Sequence, residues 1–145
     1  MLFDFLSPYI IAIVVAWLVA HAIKYTISLI NSENVDIIRS LFVSGGMPSS
    51  HSATVVSLVT IIGFIDGPNS GLFGLSILFA MITMYDAMKV RRSSGEQGVA
   101  LRKLMKEQKS TILTPYVVKG HTPIEVLAGA VLGLVIGVVV FFATK

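Results

Sequence analysis

Glycine, serine and histidine residues lie together at the start of an apolar segment, in the run Gly-Gly-Met-Pro-Ser-Ser-His-Ser at 45–52. Glycine lets the backbone approach a ligand closely, and the free N–H groups of a helix that begins after the proline favour an anion. We expect Gly46, Ser49 and Ser50 to contact an anion such as phosphate, with the imidazole of His51 in the same first turn. The alternative is an ordinary capped helix start, for which one serine would suffice. Because a cap requires neither two glycines nor a histidine, the pattern favours a functional site.

A second histidine, His121, lies just before the last apolar segment and is followed by Glu125. Residues four apart share a helix face, so this carboxylate can hold the imidazole in one tautomer and stabilise its cation. A structural role competes, since Thr122 and Glu125 form a capping-box pattern with Pro123 at the first helical position. The two roles are compatible, because a helix start is where such a histidine would be placed.

The run Tyr-Asp-Ala-Met-Lys-Val-Arg-Arg at 85–92 leaves the third apolar segment. The planar guanidinium of Arg91 or Arg92 suits two oxygens of a phosphate, although basic residues at such a place also determine membrane topology. A carboxylate at the end of an apolar helix is costly unless it has a partner or a task. We therefore expect Asp86 and at least one of the two arginines in the site.

The end of the first apolar segment adds Lys24, with His21 one turn before it. Lys24 is a candidate for phosphate binding, but a lysine at this depth can also extend its side chain to the interface with no further role. His21 is expected to pack or to support the site rather than to react. All of these groups map to the same end of the predicted helices, which favours one common site.

The composition indicates that lipid surrounds much of the chain. Of 145 residues, 54% are hydrophobic and only 13% are charged, whereas about 25% are charged in an ordinary soluble domain. The mean hydropathy is +0.84. The lack of cysteine excludes disulfides, cysteine nucleophiles and cysteine metal ligands. The net charge of +3 is small, and no nucleic-acid partner is expected.

We predict an all-α fold, a single polytopic domain over residues 1–145 with about four transmembrane helices. Each apolar segment reaches roughly 25–35 Å, the span of a hydrocarbon core. The segment 93–109 alternates apolar and basic residues at helical spacing. This predicts an amphipathic helix on the anionic cytoplasmic leaflet, with a plain solvated helix as the alternative. The four transmembrane segments are predicted at 8–30, 49–65, 71–88 and 122–143.

Basic residues determine the predicted orientation. Eight of the eleven lie at 89–119, Arg39 lies in the loop after the first helix, and the turn at 66–70 has none. An even number of helices then places both basic loops in the cytoplasm and both termini on the other side. The protein is accordingly expected in the plasma membrane, with its site facing the cytoplasm.

The last apolar segment contains Gly129, Gly133 and Gly137, which repeat every four residues and predict a close-packed helix seam. The seam can lie within one chain or at the contact of a homodimer, and the sequence leaves both open. In either case it is a structural feature rather than a part of the site.

Together these runs resemble the type 2 phosphatidic acid phosphatase and vanadium haloperoxidase superfamily, and they look closest to its short divergent branch. The resemblance is carried by Lys24, by the runs at 45–52 and 85–92, and by Gly-His-Thr-Pro-Ile-Glu-Val at 120–126. It implies that His51 is the general acid that protonates the leaving oxygen and that His121 is the nucleophile that becomes a phosphohistidine. It further implies that Glu125 orients His121, in place of the aspartate of the superfamily.

Departures from the superfamily pattern bear on the site. No Ser-Arg pair precedes His121 at the expected distance, and no Arg-Pro follows Lys24. The missing guanidinium would come from Arg39, Arg91 or Arg92. Familiar integral members have six helices, so a chain of about four is either a minimal core or needs a second copy to complete its site.

The sequence thus predicts a membrane phosphatase that hydrolyses a phosphomonoester or pyrophosphate of a lipid or an isoprenoid, with no obligatory cofactor. A divalent-metal variant is the first alternative, since nitrogen and oxygen donors suit such ions. Its ligands would be His51, His121, Glu125 and Asp86. The second alternative is a non-catalytic phospholipid-binding or transport protein that retains the phosphate pocket. A haloperoxidase is disfavoured because the expected arginine ahead of His121 is missing.

Overall fold

The computed structural model describes residues 7–31, 46–115, 117 and 120–145. These residues form helices and connecting segments with no strand among them, so the predicted all-α class is confirmed. A stretch of π-helix at Asp86–Val90 joins the third and fourth α-helices. The α-helices are α1 (Pro8–Ile30), α2 (Ser50–Ile65), α3 (Gly71–Tyr85), α4 (Arg91–Glu107) and α5 (Pro123–Ala143).

Three of the described helices are long and apolar enough to cross a membrane, namely α1, α5 and the 37-residue run Gly71–Glu107. The apolar α2 has 16 residues, about 24 Å at 1.5 Å per residue, which is short of a hydrocarbon core of roughly 30 Å. Because α2 packs between α1, α3 and α5, protein rather than lipid covers much of its surface. The protein is therefore a helical membrane bundle.

The third apolar segment and the amphipathic segment form one continuous helical run, whereas the sequence predicted separate helices at 71–88 and 93–109. Residues 85–93 contain no proline or glycine that would end a helix. The segment after α4 returns along it, since Arg102 Nε donates to the Pro115 carbonyl at 2.8 Å. Most of α4 is exposed, so its amphipathic surface lies outside the packed bundle.

Small residues let the helices of the core approach closely. Ala12, Ala16 and Ala20 of α1 are fully buried at a four-residue spacing. They share a cluster with apolar residues of α2 and α5, namely Ala53, Ile61, Ile136 and Val140. The hydroxyl of Ser57 in α2 donates to the Ala12 carbonyl at 2.9 Å, a buried bond between helices. Such contacts hold helices together where the hydrophobic effect between them is weak.

The glycine seam of α5 packs against α2 within the same chain. A Cβ atom on Gly133 would collide with the carbonyl of Ala53, and one on Gly137 would stand 2.6 Å from the Cβ of Thr60. A Cβ on Gly129 would collide with the carbonyl of Ser49. The seam is therefore an intramolecular interface, and it brings the N-terminal ends of α2 and α5 together.

Candidate active site

The start of α2 is built around Ser49, which is the N-cap. Its Oγ accepts hydrogen bonds from the Ser52 N–H at 3.4 Å and from the Ser52 hydroxyl at 3.0 Å. The Ser49 N–H donates to the carbonyl of Glu125 at 3.0 Å, which ties this loop to α5. Within the described ranges, the N–H groups of Ser50 and His51 have no protein acceptor, so this helix start can bind an anion.

His121 is held at its backbone and at its ring. Its N–H donates to the carbonyl of Ala87 at 3.0 Å, and its ring Nδ1 lies 3.0 Å from Oε2 of Glu125. The side chain is only 1% exposed. A carboxylate partner assigns the proton to Nδ1, which leaves the lone pair of Nε2 available for attack.

Glu125 has both of the roles that the sequence allowed. Its Oε2 also accepts the Thr122 N–H at 3.0 Å, and the Thr122 hydroxyl accepts the Glu125 N–H at 3.3 Å, which completes a capping box. One carboxylate therefore caps α5 and fixes the tautomer of His121.

The surroundings of His121 favour its neutral form. Burial lowers the pKa of His121 below its ordinary value of 6.5. The hydrogen bond and the charge of Glu125 oppose this effect, while the positive charges of Lys24 and Arg91 add to it. Since a neutral imidazole is the nucleophilic form, this environment suits attack on phosphorus at neutral pH.

The two arginines that follow α3 differ in their positions. Arg91 Nε lies 2.6 Å from Oδ2 of Asp86, and its charge acts on His51 and His121. Arg92 Nε instead pairs with Glu96 at 3.1 Å on the exposed surface of α4. The structure thus brings Arg91 toward the histidines and directs Arg92 away from them. The third candidate, Arg39, lies outside the described residues.

The end of α1 brings a buried cation to the same place. Lys24 is 8% exposed, and its side chain lies against Gly46, 3.8 Å from where a Cβ on that glycine would stand. Gly46 has φ +83°, in the left-handed region that favours glycine. Lys24 is thus buried beside the loop rather than extended into solvent. His51 is exposed at the helix start, within electrostatic range of Lys24, Arg91 and His121.

His21 is also buried, and its Nδ1 lies 2.8 Å from the carbonyl of Trp17 in its own helix. Its ring packs against the Trp17 indole with 4.3 Å between centroids. Both contacts are within one turn of α1, which fits the packing or supporting role expected for this residue.

The described residues do not assemble the proposed metal ligands. Among them, no three His, Asp or Glu side chains converge as a metal site. Asp86 is paired with Arg91, and Glu125 with His121. Within the described part of the chain, three of the four donors that the metal-dependent alternative requires are thus paired with other side chains.

Two features of the site were not predicted from the sequence. The π-helical stretch places Asp86 beside Arg91 and turns the carbonyl of Ala87 toward His121. The second feature is the contact of Gly120 with the backbone of Arg92, where any Cβ would collide. A glycine directly before a candidate nucleophile was the available signal for a close backbone approach.

These features define a helical membrane protein with two histidines, a buried lysine and an arginine at one end of its bundle. The chain belongs to the divergent PAP2 family, whose model matches residues 5–136, and the predicted resemblance is confirmed. Membership in this family supports a phosphatase-like membrane protein. The chain is also 38% identical over 141 residues to the uncharacterized membrane protein YuiD of Bacillus subtilis (strain 168), covering 85% of this chain and 87% of that protein. No solved structure matches it.

Proposed function

We propose that this protein is a membrane phosphatase that hydrolyses a phosphomonoester or pyrophosphate of a lipid or an isoprenoid through a phosphohistidine at His121. The observation that carries the proposal is the His121–Glu125 pair, with a hydrogen bond of 3.0 Å and a ring that is 1% exposed. Lys24 and Arg91 lie close enough to act on this ring by their charge. A neutral nucleophile beside cations is the arrangement that transfer of an anionic phosphoryl group requires.

In the first step, Nε2 of His121 attacks phosphorus while the bond from phosphorus to the leaving oxygen breaks. His51 donates a proton to that oxygen, which departs as an alcohol or a phosphate. Cations and the free N–H groups at the start of α2 stabilise the charge on the equatorial oxygens. In the second step, His51 takes a proton from water while the water oxygen bonds to phosphorus, the bond from phosphorus to Nε2 of His121 breaks, and phosphate leaves with His121 restored.

The location of the site supports a lipid substrate. It lies at one end of an apolar helical bundle, beside the basic and amphipathic α4. This is the depth at which a phosphate headgroup would meet the protein, with its acyl or isoprenoid chain in the hydrocarbon. The distribution of basic residues supports a site that faces the cytoplasm from the plasma membrane.

The test is release of inorganic phosphate by the full chain in detergent from a panel of lipid and isoprenoid phosphates, with and without EDTA. His121→Ala is the inactive variant, and Glu96→Gln on the exposed face of α4 is the matched control. Release that survives EDTA and is lost only in His121→Ala supports the proposal. A covalent phosphoryl group that is stable in alkali and labile in acid would identify the phosphohistidine.

Release that EDTA abolishes would favour the metal-dependent alternative. No release from any substrate, with folded protein, would favour the binding or transport alternative. A transport path through the bundle would need polar groups that face it. The hydroxyls of Thr54, Ser57 and Thr60 instead donate to backbone carbonyls, at 2.7, 2.9 and 2.8 Å.

A further inference from the structure

The π-helical stretch Asp86–Val90 brings together two side chains that an α-helix would separate. In an α-helix each residue is rotated by about 100° around the axis from the one before it, so the side chains of residues five apart point roughly 140° away from each other. In a π-helix the backbone hydrogen bond joins residues i and i+5, which places these two residues one above the other. Here the Arg91 N–H donates to the Asp86 carbonyl. Their side chains then meet, with 2.6 Å between Arg91 Nε and Asp86 Oδ2.

The same stretch is attached to the segment that carries His121. The Ala87 carbonyl accepts the His121 N–H at 3.0 Å. Gly120, the residue before His121, approaches the backbone of Arg92 so closely that a Cβ atom on this glycine would collide with it. The positions of Arg91 and His121 are thus fixed relative to each other by backbone contacts. π-Helical insertions are rare and occur often at functional sites.

We propose that Arg91 supplies the phosphate-binding guanidinium that this chain lacks ahead of His121, and that Asp86 is the positioning residue that holds it there. The inference rests on the proposed function. Asp86 engages Nε, which leaves the two terminal nitrogens of Arg91 for two phosphoryl oxygens. A carboxylate bound to a guanidinium in this way is not the proton donor, so that role stays with His51.

Arg92 is the natural comparison, because it is adjacent in sequence and also forms an ion pair. Its Nε lies 3.1 Å from Glu96 Oε1, at the i+4 spacing of a regular α-helix, and both side chains are more than half exposed. This is an ordinary surface pair of α4. The π-helix makes the difference, since it turns Arg91 back toward Asp86 and the histidines.

The experiment measures binding of orthovanadate, which mimics a phosphoryl group in transfer, to the full chain in detergent by calorimetry. Arg91→Lys should weaken binding about 100-fold, the usual loss when one positioned donor to a developing charge is removed. Asp86→Asn should weaken it about tenfold, because the guanidinium is retained but no longer held, and Asp86→Glu should recover part of that loss. Glu96→Gln, which breaks the comparison pair, should bind as the wild type does.

A charge-reversed double variant, Asp86→Arg with Arg91→Asp, separates positioning from simple ion pairing. It restores a pair of opposite charges but moves the guanidinium from position 91 to position 86. The melting temperature should therefore be higher than in either single variant, while the affinity for vanadate should stay low. Recovery of both, or an Asp86→Asn variant that binds as tightly as Glu96→Gln, would overturn the inference. If Asp86→Asn does not fold, Asp86→Glu and Arg91→Lys still decide it. Failure of the wild type to bind vanadate would instead count against the proposed function.

Discussion

Replacing Glu125 by glutamine separates the two roles of this side chain. Glutamine also completes a capping box, so the helix start of α5 should remain intact. Its amide carries no charge. Because Oε2 of Glu125 meets both Nδ1 of His121 and the Thr122 N–H, the amide oxygen of glutamine at that place keeps both hydrogen bonds and the tautomer of His121. What is lost is the negative charge that stabilises the cation formed when Nε2 bonds to phosphorus.

The magnitude follows from the geometry. A hydrogen bond to a charged group contributes about 1.5–3 kcal/mol, and the 3.0 Å bond to His121 is shielded because the ring is 1% exposed. At 1.36 kcal/mol per factor of ten, this range corresponds to about 10- to 100-fold in rate. We expect Glu125→Gln to lower kcat by about that factor and to change the free energy of unfolding by less than about 1 kcal/mol.

Single-turnover phosphate release and thermal unfolding in detergent would measure the two effects. Thr122→Ala is the matched variant, because it removes the cap but keeps the pair of His121 and Glu125. It should cost about 1 kcal/mol of stability and little activity. A Glu125→Gln protein with kcat near that of the wild type would refute the catalytic role of this charge. Equal loss of activity in Thr122→Ala would show that the cap, not the charge, matters.

Three further outcomes are expected. Because burial lowers the pKa of His121 below 6.5, most of the nucleophile is neutral at pH 6.5, and the acid limb of kcat/KM should be centred below 6.5; an acid limb centred above 6.5 would contradict this. Gly133→Ala forces a Cβ into the Ala53 carbonyl and should cost about 1–3 kcal/mol by thermal unfolding, whereas Gly74→Ala, which meets nothing within 4 Å, should not destabilise. Leu104 is exposed on α4, and Leu104→Cys would introduce the single cysteine of the chain, to which a polarity-sensitive fluorophore can be attached. Its emission should lie at shorter wavelength in nanodiscs of anionic lipid than in nanodiscs of neutral lipid. Equal emission wavelengths in the two lipids would leave α4 as a solvated helix.

The existence of the helices and the pairing of His121 with Glu125 were predictable because both depend on local patterns. Apolar runs of membrane length indicate helices whatever their neighbours, and His121 with Glu125 share a face through a fixed four-residue spacing. The glycine spacing of α5 likewise predicted a seam. What the seam packs against was not predictable, since Gly133 meets Ala53 only through the tertiary arrangement.

The π-helix was beyond sequence reasoning for a physical reason. Its extra residue is stabilised by contacts of the folded chain, such as the Ala87 carbonyl with the His121 N–H, and no residue type specifies it. A regular helix would have left Arg91 and Arg92 as equal candidates. Tertiary contacts, not composition, distinguish them.

A single chain can bring this set of groups together without a second copy. Lys24 comes from α1, His51 from α2, Arg91 from the start of α4, and His121 from the segment before α5. Two connections hold α2 and α5 in register, the Ser49 N–H to the Glu125 carbonyl and the glycine seam below it. Since both lie within one chain, a homodimer is not needed to place the two histidines. A monomer in nanodiscs should therefore hydrolyse its substrate.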